Sequence, residues 1–174
     1  EVEVPIAGLT PALVGLRIVQ ISDLHIGPTI KRPFVERVVE RVKQLQPDLI
    51  VFTGDLADGT TDQLGFDAAP LAELSAPLGT YFCTGNHEYY SGVEAWTDQA
   101  RHLGFDVLIN EGRLLEFGDG RIALAGATDC GAAEMVPDHA SDPAKAFATV
   151  GAADVRILLA HQPRSIEAAS RAGC

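Results

Sequence analysis

Cysteine is scarce and odd in number: Cys83, Cys130 and Cys174 have no paired spacing, which argues against a disulfide framework and against a thiolate-type zinc site. Cys83 reads instead as a small apolar core residue. No apolar run approaches the roughly 20 residues a helix needs to cross a bilayer, and no signal-peptide pattern is present. Basic residues are few. Against 24 Asp and Glu stand 13 Lys and Arg, a formal net charge of -11, so affinity for phosphate backbones is disfavoured and no nucleic-acid partner is expected. Internal repeats, low-complexity tracts and domain linkers are also missing. The chain starts at Glu1 and not at Met, which leaves room for a leader or anchor ahead of it and keeps the compartment open.

What remains is a chain of 174 residues, 47% hydrophobic, suited to one domain with a sizeable core. Its central stretch is Leu49-Ile50-Val51-Phe52-Thr53-Gly54-Asp55. An apolar run bounded by turn signals reads as a strand buried on both faces, and the glycine lets the backbone bend so that Asp55 points into an open crevice. The pattern recurs. Leu16–Ser22 runs into Asp23-Leu24-His25, Gly79–Thr84 into Gly85-Asn86-His87-Glu88, and Val155–Ala160 into His161. Four apolar strands thus end in Asp, Asn or His, and in one parallel sheet those ends would share an edge.

Between the strands, Pro33 opens a helix with an apolar stripe of Val35, Val38, Val39, Val42 and Leu45, which Pro47 stops. This strand-helix-strand unit predicts a parallel sheet. A looser helix covers about 62–74. Ser91 with Glu94 fits a capping box for a helix to about Leu103. Then Val107–Ile109, Leu114–Phe117 and Arg121–Ala125 read as short antiparallel hairpin strands of a second sheet. Glu1–Ile6, alternating charged and apolar, reads as an edge strand; Asp142 or Ser141 caps a short helix to about Val150, and Arg164–Ala172 is the last helix. The expected layout is one α/β domain, residues 1–174, containing two sheets.

Asp23, His25, Asp55, Asn86 and His161 combine carboxylate, imidazole and amide oxygen, a set that suits two divalent or trivalent ions such as Mn, Fe or Zn better than calcium. A metal pair needs a bridging ligand, and Asp55, mid-sheet, is the candidate. Such a pair would yield hydroxide at neutral pH and neutralise the oxygens of a phosphate under attack.

In order and strand context, Asp23-x-His25, Gly54-Asp55, Gly85-Asn86-His87-Glu88 and His161 resemble the calcineurin-like metallophosphoesterases over nearly the whole chain. The resemblance implies a sandwich of two mixed β-sheets flanked by helices. It assigns Asp23 and His25 to the first metal, Asn86 and His161 to the second, Asp55 to both, and His87 to the substrate phosphate as charge stabiliser or proton donor. Gly54-Asp55-Leu56-Ala57-Asp58 lacks the arginine that follows this motif in Ser/Thr protein phosphatases. The wording Ile21-Ser22-Asp23-Leu24-His25 and Ala160-His161-Gln162-Pro163 is closer to bacterial membrane-associated phosphoesterases, some of which cleave lipid-linked bonds. The implied substrate is a small phosphoester, mono- or diester, lipid-linked or nucleotide-type, with a membrane-associated parent protein.

One departure stands against this. The family carries a later Gly-His-x-His segment supplying one imidazole to each metal, and residues 1–174 do not contain it, so the expectation is a domain truncated at its C-terminal strands with weakened metal affinity. The rival reading is a non-catalytic metal-binding scaffold. Of the remaining polar residues, Asp58 reads as a turn former, Glu88 as either a helix-start charge or a support behind the ligands, and His102, His139, Asp129 and Glu134 as solvated. Tyr89 and Tyr90 read as packing beside the loop, with a place in the wall of a substrate pocket as the alternative.

Overall fold

The computed structural model describes all residues, Glu1–Cys174, as two stacked sheets with helices on both outer faces. The first sheet has four parallel strands in the order β1 (Ile18–Ile21), β2 (Leu49–Phe52), β3 (Thr80–Phe82) and β4 (Asp106–Val107). The second has β5 (Glu111–Phe117) antiparallel to β6 (Gly120–Gly126), with β7 (Val155–Leu159) parallel to β6. The expected pair of sheets is therefore present; the first is wholly parallel and only the second is mixed.

Side-chain alternation along β2 accounts for the layering. Ile50 and Phe52 face the helices α1 (Arg32–Gln44), α2 (Thr61–Ala68) and α4 (Val93–His102), joining Val35, Leu71 and Trp96 in the larger core. Leu49 and Val51 face the other way, where with Tyr81 and Cys83 they meet Ile122, Leu124 and Leu159 of the second sheet. Phe52, Phe82 and Phe105 contact one another at 5.4–6.2 Å between centroids, worth about 0.5–1.5 kcal/mol per pair beyond area burial. Phe147 of α5 (Pro143–Ala148) covers the outer face of the second sheet over Ala123 and Ala125; Asp142 caps that helix by accepting from Lys145 N at 2.9 Å. The last helix is α6 (Ile166–Arg171).

Several local expectations fail for identifiable reasons. Glu1–Ile6 forms no strand; no neighbouring strand pairs with it, and Val2 and Val4 stay 86% and 72% exposed. The 107–109 strand is not part of a hairpin. It is Asp106–Val107, parallel to β3, with Leu108 N still donating to Phe82 O at 2.8 Å; the chain crosses between sheets at Asn110, whose side chain serves Thr128, Ala140 and Asp142. Ser91 is no N-cap: Asn86–Ser91 is itself a short helix, α3, broken from α4 by Gly92 at φ +101°. Most important for the site, the four strand ends do not share one sheet. His161 follows β7 in the second sheet and reaches the others because the two sheets stack with their strand ends at a common edge.

Candidate metal centre

β1 and β2 keep pairing beyond their last strand residues: Asp23 N donates to Gly54 O and His25 N to Asp55 O, both at 3.1 Å, and Ile26 N to Leu56 O at 2.9 Å. The two loops leave the sheet side by side. They then turn through left-handed backbone, with φ +54° at Asp23, +47° at His25, +57° at Asp55 and +90° at Gly54. Such positions cost non-glycine residues on the order of 1–3 kcal/mol and persist only where their surroundings enforce them.

Glu88 supplies that enforcement. Only 1% exposed, it reaches back from α3 to accept three backbone N–H groups: Gly85 N at 2.6 Å and Asp55 N at 2.9 Å on Oε2, and Leu56 N at 2.7 Å on Oε1. Burial pushes its pKa up while those donors pull against it. The carboxylate thus bridges the ends of β2 and β3 where their ladder has stopped. Gly85 completes the junction, since a Cβ there would collide with the Asp55 carboxylate.

Asp55, 3% exposed, is the focus of the site. Its Oδ1 accepts from His87 N at 2.9 Å. Its Oδ2 faces the Nε2 atoms of three imidazoles: His161 at 3.2 Å, His25 at 3.7 Å and His87 at 3.9 Å. In every one of these rings the other nitrogen is occupied. His161 Nδ1 donates to the Thr53 carbonyl at 2.8 Å, and the Nδ1 atoms of His25 and His87 both meet Asp58 Oδ1, at 2.9 and 2.7 Å. Carbonyl and carboxylate only accept, so Nδ1 carries a hydrogen in each ring, and each Nε2 faces Asp55 Oδ2, donating toward it when protonated and offering a lone pair once that proton is lost. Asp23 Oδ1 lies 3.8 Å from His25 Nε2, and the Ser22 hydroxyl bonds its other oxygen. Asn86 opens α3 between Gly85 and His87, both of which touch Asp55.

Charge follows the same geometry. The bond to Asp55 raises the His161 pKa to about 9, and Asp58 raises that of His25. Burial alone would push Asp55 up, but the His161 and His87 contacts win and hold it low. A cation entering between these groups would compete with those protons.

The donors fit a metal. Two triads bring ligand atoms within 4.8 Å of one another, Asp23-His25-Asp55 and His25-Asp58-His87. The first uses the His25 Nε2, which makes no closer bond than 3.7 Å, and the buried Asp55 carboxylate, whereas the second would draw on nitrogens that already donate to Asp58. We therefore take Asp55 as the centre and Asp58 as the outer group that orients two rings. Oxygen and nitrogen donors without thiolate suit Mn, Fe or Zn.

Other expectations are corrected here. Asp58 is more than a turn former. Asp129 is 2% exposed, accepting from Gln162 Nε2 at 2.7 Å and Gly131 N at 2.8 Å, which anchors the turn after His161. His139 is half-buried against Tyr89, whose hydroxyl lies 3.1 Å from its Nδ1. Tyr89 packs as expected; Tyr90 is 65% exposed.

Comparison with known proteins yields consistent matches. The calcineurin-like phosphoesterase family model matches residues 16–172. A "Transmembrane protein with metallophosphoesterase domain" from Danio rerio is 38% identical over 174 residues, 97% of this chain and 40% of the relative. An "Uncharacterized metallophosphoesterase" from Aquifex aeolicus is 35% identical over 149 residues, 86% of this chain and 56% of the relative. "UDP-2,3-diacylglucosamine pyrophosphatase LpxG" from Chlamydia muridarum is 42% identical over 86 residues, 47% of this chain and 25% of the relative. The chain thus spans 25–56% of the length of these relatives.

Two outcomes follow from the geometry. Glu88→Ala orphans three buried N–H groups and should lower unfolding free energy by about 3 kcal/mol; a loss below about 1 kcal/mol in denaturant titration would remove Glu88 from this role. In chelator-treated protein the His161 contribution is full below its unfolded pKa of about 6.5 and fades as pH rises through the folded value of about 9. The stability gap between wild type and His161→Gln should be widest near pH 6 and close by about pH 10; a gap that widens with pH contradicts the pairing.

Proposed function

Because the chain belongs to the calcineurin-like phosphoesterase family, we propose that residues 1–174 act as one metal-dependent domain that hydrolyses a phosphoester at the Asp55 crevice. The observation that carries this reading is the convergence of three oriented Nε2 atoms on a single carboxylate oxygen. On this reading Asp23 and His25 hold one metal ion, Asn86 and His161 a second, and Asp55 both. When bound, such a pair supplies Lewis acidity and lowers the pKa of a water molecule.

The chain's own residues do the rest. Asp55 contributes two oxygens at a fixed angle, since His87 N and the Glu88-held backbone leave its side chain one orientation. His87 is the proton donor to the departing oxygen: Asp58 anchors Nδ1 and fixes the ring's orientation, while Nε2 is turned inward. Thr53 and Asp58 fix the tautomers of His161 and His25. No helix of this chain is long and apolar enough to cross a membrane. The Danio rerio relative's name supports a membrane-associated parent protein, and the Chlamydia muridarum relative's name supports a lipid-linked substrate.

Hydrolysis of bis(p-nitrophenyl) phosphate tests the reading. Turnover should require Mn, Fe or Zn, vanish with chelator and return on readdition. His87→Ala should cut kcat by about a hundredfold or more. No turnover with any of the three metals would favour the scaffold reading.

A further inference from the structure

One large side chain at the rim of the crevice has no task in this scheme. Tyr90 is 65% exposed and belongs to none of the apolar clusters. A tyrosine left in water contributes little to folding, since its apolar surface is not removed from solvent. Its position is nevertheless specific. Tyr90 stands three residues after His87 on α3, which puts both side chains on one helix face. Their rings meet at 5.3 Å between centroids with planes inclined at 62°. The His25 ring also packs against His87, at 4.6 Å and 82°. His87 is therefore flanked by His25, a ring of the metal centre, and by Tyr90, which is open to water. Neighbouring Tyr89 turns inward instead, 6% exposed, with its hydroxyl on His139 and Thr84.

We infer that Tyr90 is the platform for the leaving group of the ester, and that this group has a flat or apolar body. The inference rests on the reading of His87 as proton donor. An oxygen that receives its proton from His87 lies within hydrogen-bond reach of that ring, so the body attached to it extends over the exposed surface beside the ring. That surface is Tyr90. Aromatic and apolar groups gain from an offset or edge-on contact with such a ring.

Steady-state kinetics with Mn and bis(p-nitrophenyl) phosphate separate the possibilities. Tyr90→Ala should raise KM about fivefold with kcat within about twofold, and Tyr90→Phe should match wild type. Calorimetric binding of a non-hydrolysable p-nitrophenyl phosphonate should weaken about fivefold in Tyr90→Ala. An unchanged KM, or a fall in kcat alone, would overturn the platform and leave Tyr90 as a prop for the His87 ring. If wild type turns over and His87→Ala does not, such a result defeats only this inference; if wild type is inert with every metal, the proton-donor reading fails and takes the inference with it.

Discussion

A buried carboxylate accepting three backbone N–H groups is the constraint on which the rest of this structure depends. Glu88 sits where the ladder between β2 and β3 has ended and three donors, at Asp55, Leu56 and Gly85, would otherwise be orphaned in a water-free place. Taking a carboxylate out of water is costly, and only full hydrogen bonding makes it tolerable. The same three bonds hold Asp55 in its left-handed conformation. Strain at Asp55 and satisfaction of the buried charge are therefore one arrangement.

From Asp55 the order spreads outward through successive contacts. Three imidazoles face its Oδ2, and behind them the Thr53 carbonyl and the Asp58 carboxylate fix which nitrogen carries hydrogen. The donors come from two sheets. β1, β2 and β3 deliver Asp23, His25, Asp55, Asn86 and His87, while β7 delivers His161 across the interface built by Val51, Cys83, Leu124 and Leu159. Sheet packing is thus part of the site, because a shift of one sheet on the other would move His161 away from Asp55.

Much of this was legible in the chain because strand ends announce themselves: apolar runs such as Leu49–Phe52 stop at residues whose chemistry is out of place in a core. The helix at Arg32–Gln44 and the hairpin of β5 and β6 were readable from periodicity and turn residues. What was not legible depends on contacts distant in sequence. Asp58 looks like any turn aspartate until His25 and His87 are seen on the same oxygen, and Asp129 looks solvated until Gln162 folds over it. Glu1–Ile6 has the alternation of a strand but no neighbour to pair with, and alternation without a partner does not make a sheet. Gly92 masked the break between α3 and α4, since a glycine near a helix start reads equally as a cap.

The family membership and the geometry meet at one atom, Asp55 Oδ2. The most direct measurement is an anomalous-scattering map of crystals grown or soaked with Mn. The account predicts metal density against Asp55 Oδ2 and the Nε2 of His161. Density confined to the outer side of Asp58, with Asp55 still bonded only to protonated imidazoles, would contradict it.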